Sequence, residues 1–585
     1  MSKSCKIKKI LIILISIALV AAILLAFFAV CYRSFKSVSV YNNVDNGKSV
    51  FYSGKKVLVV VPHQDDDLSV MGGVFEEFLR YGSQVKVLFV TAGDFSAHPG
   101  VRMGEAIDTL TLVGIPEEDI IFLGYPDTGL FAPIKNIYNY PEDEIVDYFG
   151  QINSTYALDS HPAYNDGNTY TRRHLCEDLY SAIAEYMPDI LICNDYDEHP
   201  DHRATSLFFD EVTGTILKDY PDYEPTILKT FAYSYTFYGY DDFYDSINLI
   251  STKKTCDTPY LTETNIFNWD DRIRIPVCAD TLSRCIDTSK LYKEASLYYS
   301  QNAQANSGRV INSDRVFFQR ESGSLVLDAT ISVSSGNPMI LNDFKLIDSN
   351  DVTVKDELPT AGTWIPDNSD NDKCITVTFN QPTDISRICL YDNPSLDDNI
   401  TDAVITFDDG DEISTGPLAA NGCATEIQLS KNNVLSFSVK IISSVGNSAG
   451  LTEIEAYDKE KSPITSLIKL MNDNGDFVYD YYIDTTECFS LYTIGLSDSF
   501  DDYDISCSSV KCSFVIENNL LRITCPRGEA CIITVSSKDS LYSDSVYISN
   551  PGFAVRTGWM FEAWAYRHNY PWRNNFIYNA IKKNR

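Results

Sequence analysis

Residues Val59–Gly73 read VVVPHQDDDLSVMGG. Extended back to Lys56, the run KVLVVVP has no polar alternation. That is the pattern of a strand buried on both faces, as in a parallel sheet covered by helices. The run stops at His63 and three consecutive aspartates, Asp65, Asp66 and Asp67. Carboxylates this close repel one another, so their place at the end of a buried strand needs a reason. In open α/β sheets, sites form beyond the carboxyl ends of the strands.

The segments that follow keep the rhythm. GGVFEEFLRYG (72–82) predicts a helix closed by Gly82. VKVLFVT (85–91) predicts a second buried strand, RMGEAIDTLTLVG (102–114) a helix and DIIFLG (119–124) a third strand. RRHLCEDLYSAIAEYM (172–187) is helical, and PDILICN (188–194) is another strand. Such alternation predicts an α/β domain over 55–325, a Rossmann-like, mostly parallel, doubly wound sheet.

Histidine is scarce, with seven in the chain. Two, His199 and His202, sit in NDYDEHPDHRAT (194–205), directly after the strand at 188–194. Pro200 suits a first helical position, and Asp201 suits the positive end of a helix. Three residues apart, the two histidines share one side of that first turn. Two clusters at the ends of parallel strands can converge, offering His63, Asp65, Asp66, Asp67, His199 and His202. Two imidazoles and a carboxylate are a common catalytic zinc set with a position left for water. Zinc would lower that water's pKa, and a free carboxylate beside it would take the proton. Each motif alone has a plainer reading, the aspartates as a solvated loop or cap and HxxH as surface histidines. Together at two strand ends they point to a metal site. His98, His161 and His174 are placed at the surface or behind the site, with His98 also a candidate pocket residue.

VVVPHQDDDLSVMGG, VLFVTAGD, RMGEAIDTLTLVGI, FLGYPD and HPDH resemble, in order and spacing, the PIG-L (LmbE-like) family of zinc-dependent N-deacetylases. LYKEASLYYSQ (291–301) is similar to that family's late helix, and the resemblance covers roughly 55–320. It implies His63, Asp66 and His202 as zinc ligands and one zinc ion per catalytic domain. It implies Asp65 as general base and His199 as the group that polarises or protonates the oxyanion. Arg102 and Asp127 match positions that contact the sugar in relatives. The chain departs from the family at Gln64, where proline is usual, and at Asp67, where glutamate is usual. The implied reaction is removal of acetyl from an N-acetylglucosamine-like residue.

Downstream the rhythm changes to short strands. CITVTFN (374–380) alternates, with Ile375, Val377 and Phe379 on one face. TWIPDNSDNDKCITVTFNQPTDISRICLYDNP and GNSAGLTEIEAYD resemble a discoidin-type, galactose-binding-like jelly roll, which implies sugar or lipid-headgroup binding and a structural calcium. That module is expected over 326–458. An immunoglobulin-like sandwich is expected over 459–550 and an aromatic, basic tail over 551–585.

At the other end, Ile10–Tyr32 carries no charge and is long enough to span a bilayer. Lys3, Lys6, Lys8 and Lys9 precede it, while Arg33 and Lys36 follow. The expectation is a cytoplasmic tail (1–9), an uncleaved anchor (10–32), a stalk (33–54) and everything else outside the cell membrane. A cleaved signal peptide is the alternative. The net charge of −34 disfavours nucleic acid as a partner. Of 15 cysteines, Cys507, Cys512, Cys525 and Cys531 form the cluster that would pair in an oxidising exterior, with buried free thiols as the alternative, and no CxxC occurs. The function expected is deacetylation of a surface glycan or glycolipid. The alternatives are a surface adhesin without catalysis, and the family's role on N-acetylglucosaminyl-phosphatidylinositol.

Overall fold

A computed structural model describes residues 3–38, 50–94, 99–127, 137–146, 154–197, 199–232, 237–238, 244, 246–254, 267–278, 281, 283–303, 310–348, 362–395, 397–459 and 466–569. The expectation for His98, for half of the stalk (39–49) and for the end of the tail (570–585) lies outside them.

After the helix α1 (Lys3–Val38) come β1 (Lys56–Val61), α2 (Asp66–Met71), α3 (Val74–Arg80), β2 (Gln84–Thr91), α4 (Pro99–Val113) and β3 (Ile120–Tyr125). Then follow α5 (Arg172–Tyr186), β4 (Ile190–Asn194), α6 (Pro200–Asp219) and β5 (Thr226–Thr230). A short ribbon of β6 (Phe237–Tyr238) and β7 (Lys253–Lys254) precedes β8 (Ile273–Pro276), α7 (Lys290–Leu297) and β9 (Asp314–Arg320). The sheet order is β3-β2-β1-β4-β5-β9-β8, parallel through β5 and antiparallel at the last two strands.

The apolar run of β1 is divided between two cores. Val57, Val59 and Val61 face one with Phe75, Phe78 and Leu110, whereas Leu58 and Val60 face the other with Leu179 and Phe208. A strand that feeds two cores has no solvent side to carry polar residues, which is why its sequence does not alternate.

The next module is an antiparallel sheet of β10 (Thr330–Val333), β11 (Cys374–Asp392), β12 (Asn399–Phe407), β13 (Glu412–Ser414), β14 (Ala424–Val445) and β15 (Leu451–Tyr457). Ile375, Val377 and Phe379 are buried around Trp364, as the alternation predicts. A third module has two four-stranded sheets over one core. One contains β16 (Leu467–Met471), β18 (Thr486–Ile494), β21 (Leu520–Thr524) and β20 (Ser513–Glu517). The other contains β17 (Asp480–Tyr482), β23 (Ser543–Ser549), β22 (Ala530–Ser537) and β19 (Tyr503–Cys507).

The two modules dock on opposite faces of the α/β sheet. Leu327, Phe344 and Ile347 join the core of α5 and α6. Gly214 in α6 makes room there, since a Cβ would lie 2.8 Å from that of Phe344. Leu467, Phe477, Tyr479 and Tyr482 join the core on the other face.

That second face also takes α8 (Phe553–Asn569), the described part of the tail, through Ala563 and Tyr566. Buried Glu562 accepts hydrogen bonds from Tyr244 Oη (3.1 Å) and the Ile286 amide (3.3 Å). Helix α8 lies directly on α1. The rings of Phe28 and Phe561 stack at 5.3 Å, and a Cβ at Gly558 would overlap the Cys31 carbonyl.

Candidate active site

Strands β1 and β4 are neighbours, with Val60 opposite Cys193, and the sheet order reverses between them. The turn after β1 and the loop after β4 therefore open at one point of the sheet edge, the switch point where α/β folds bind ligands. The chain delivers His63–Asp67 from one side and Asp195–His202 from the other.

His63 and His202 are each gripped on one nitrogen and turn the other to Asp66. His63 Nε2 lies 2.9 Å from Asp201 Oδ2, and its Nδ1 lies 3.0 Å from Asp66 Oδ2. His202 Nδ1 lies 2.8 Å from Asp197 Oδ2, and its Nε2 lies 3.1 Å from the same Asp66 oxygen. A carboxylate behind each imidazole is how proteins orient metal-binding histidines. The ring nitrogens of His63, His199 and His202 also lie within 4.8 Å of one another.

The charges explain why such a buried pocket holds together. Burial opposes charge on His202, but Asp197 and Asp66 outweigh it and raise its pKa to about 10. Burial likewise opposes charge on His63, and Asp127 leads the carboxylates that push its pKa well up. Burial would raise Asp66, yet His202 and His63 hold it well below the usual carboxylate range. The pocket thus demands positive charge, and a divalent cation fits that demand as well as the donor set of two imidazoles and a carboxylate.

Asp65 stands beside this centre, next to Arg102. Its backbone has φ 138°, a region that non-glycine residues enter at a cost. Its Oδ1 lies 3.4 Å from an Arg102 amine. Burial raises its pKa to about 7, against the opposing pull of Arg102. His199 caps α6, its Nδ1 accepting the Asp201 amide at 3.2 Å. Burial and the two neighbouring imidazoles press its pKa down to about 2. With Nδ1 accepting that amide, the neutral ring carries its proton on Nε2.

All seven expected site residues come together. Arg102 and Asp127 are buried and paired at 3.1 Å, and Asp127 Oδ1 also lies 3.3 Å from His63 Nε2. His161 and His174 sit apart, bonded to the Ile120 carbonyl and to Thr169.

Four partners were not foreseen. Asp197 and Asp201 orient the rings, although Asp201 had been read only as a helix-start charge. Tyr298, just beyond α7, donates to both oxygens of Asp67 at 2.7 and 2.6 Å. Gln64 reaches the Thr91 carbonyl at 2.7 Å, and a Cβ at Gly93 would overlap its amide oxygen. Only Asp201 carried a signal in the sequence, as the acid enclosed by two histidines. The groups that form a three-donor cluster among the described residues all lie in this pocket, so the calcium expected in the second module lacks support.

Residues 58–213 match the PIG-L family, described as GlcNAc-PI de-N-acetylase. Residues 325–457 match a domain of unknown function, DUF7402. Comparison with the curated proteins gave no match. Among solved structures the chain is similar to an N,N'-diacetylchitobiose deacetylase from Pyrococcus horikoshii, with 22% identity and a TM-score of 0.20. That match covers 30% of this chain and 54% of the other, so the chain spans about half the length of that relative. A deacetylase–teicoplanin complex matches at 14% identity over 45% of this chain and 97% of the other, TM-score 0.27. The family 32 CBM from C. perfringens NanJ matches at 17% identity over 22% of this chain and 92% of that one, TM-score 0.17.

Proposed function

We propose that the chain is a membrane-anchored, zinc-dependent deacetylase that removes acetyl from N-acetylglucosamine-like residues of a surface glycan or glycolipid. The observation that carries this reading is the convergence of His63 and His202 on one oxygen of Asp66, with Asp65 and His199 beside it. The family match over 58–213 covers every one of these residues.

His63, Asp66 and His202 would hold the zinc. When bound, it supplies Lewis-acid polarisation and makes a water acidic. The rest falls to the chain. Asp65, with its pKa near 7, is suited to take a proton from water and return it to the departing amine. His199 donates Nε2–H to the oxygen that becomes negative, and being neutral it does so as a hydrogen-bond donor rather than an acid. Asp197 and Asp201 keep the two ligand rings in place. Arg102 positions Asp65, and together with Asp127 it forms the wall assigned to sugar hydroxyls.

We read the second module as the jelly roll, the third as an immunoglobulin-like sandwich, and α1 as an uncleaved anchor with the remainder extracytoplasmic. Support for retention of α1 is its packing: Cys31 and Phe35 are fully buried, and Gly558 is bare where Cys31 passes.

The test is acetate release by the zinc-loaded full chain from N-acetylglucosamine oligomers. Asp65→Ala is expected to slow turnover about 10²–10⁴-fold while zinc content is unchanged. Full activity in that variant removes Asp65 from the mechanism, and no acetate from any N-acetylglucosaminide removes the reading itself.

A further inference from the structure

Four cysteines of the third module meet across its two sheets. Cys512 precedes β20 and Cys525 follows β21. The register Ser513↔Thr524 of that hairpin places them directly opposite each other at its open end. Their sulfurs lie 3.4 Å apart. In the other sheet Cys507 pairs with Ile533, and the Ser508 amide bonds the Ile532 carbonyl at 2.9 Å. Cys531, two residues from Ile533, is thus the diagonal neighbour of Cys507 and points to the same face.

Four cysteines allow three complete pairings. The register favours one of them. It sets Cys512 against Cys525 at the open end of one hairpin, with their sulfurs 3.4 Å apart, and Cys507 diagonally beside Cys531 in the other sheet. A link between Cys512 and Cys531 would run between the sheets and leave Cys525 and Cys507 without their neighbours.

From this geometry we infer that the third module is a disulfide-forming unit with the links Cys512–Cys525 and Cys507–Cys531, one within each sheet. All four are thiols in the structure. Each link forms when two S–H bonds break and one S–S bond is made. The two electrons and two protons pass to an external disulfide of the thiol-oxidant class, which becomes two thiols. Formation in the cell rests on the extracytoplasmic reading above, since disulfides persist in oxidising compartments.

Trypsin separates the four cysteines, because Lys511, Arg522, Arg527 and Lys538 fall between or after them. Full chain taken from membranes is alkylated without reductant, digested and mapped by mass spectrometry. The expected products are the 512–522 peptide joined to 523–527, and the peptide ending at Lys511 joined to 528–538. A second sample in detergent is first equilibrated with oxidised glutathione. Free thiols from membranes with the expected links after glutathione uphold the pairing and sink the extracytoplasmic reading. A link between Cys512 and Cys531, or four free thiols in both samples, overturns the pairing. In Cys512→Ser, Cys525 is expected to alkylate fully while Cys507–Cys531 persists. Capture of Cys525 by Cys531 or Cys507 in that variant also overturns it.

Discussion

Asp65 is held in a backbone conformation that costs about 1–3 kcal/mol for a residue with a Cβ. Glycine adopts it freely. Asp65→Gly is therefore expected to stabilise the fold by about 1 kcal/mol in denaturant titration while it slows acetate release about 10²–10⁴-fold. A variant that loses stability instead shows that the Asp65 carboxylate holds the turn more firmly than its backbone strains it. The residues of this site differ in how plainly the sequence announced them. His63, Asp66 and His202 could be picked out because two rare clusters each followed a buried strand. Asp67 had no assignable partner, since Tyr298 lies 231 positions away and its hydroxyl meets Asp67 only through the packing of α7. Asp197 was hidden by composition: in a chain of net charge −34, one more acidic loop residue carries no message.

Among the elements, the strands of the parallel sheet were legible to within a residue or two, because burial on both faces leaves a continuous apolar run. Helix α8 was not, because its packing depends on α1 and on Glu562 reaching the turn before α7. Gly558→Leu is expected to separate α8 from α1 and to cost about 1–3 kcal/mol by overpacking. Thermal unfolding of the detergent-solubilised full chain measures it, and an unchanged midpoint means the two helices do not pack so closely. Strand β17 carries a second testable feature. Burial raises the Asp480 carboxyl to about 7 although Arg284 opposes the shift, and neither oxygen has a hydrogen-bond partner among the described residues. The folded chain thus keeps a proton that the unfolded chain has lost between the ordinary carboxylate range and pH 7. Stability must fall as pH rises through that window. Asp480→Asn removes the fall, so its midpoint should exceed the parent's at pH 8 and converge with it near pH 4. Parallel curves at both pH values would place the charge in water.

At the scale of the molecule, the two modules brace opposite faces of the α/β sheet. Helix α1 leaves its apolar side chains from Ile7 to Val30 exposed, and α8 continues that surface with Phe553, Met560 and Trp564 on one face. A bilayer is the solvent that suits both. Mass spectrometry of the mature protein should find α1 present, and an alkaline carbonate wash should leave the chain in the membrane fraction. A mature N-terminus beyond residue 32 would leave the exposed face of α8 without its neighbour.

The contact between α1 and α8 also sets an order of events during synthesis. The first helix leaves the ribosome before any module exists, and its packing partner follows only after all three have been translated. The sheet face that receives Ala563 and Tyr566 stays open to chaperones and proteases until then. A chain halted before Phe553 leaves that face of the sheet uncovered.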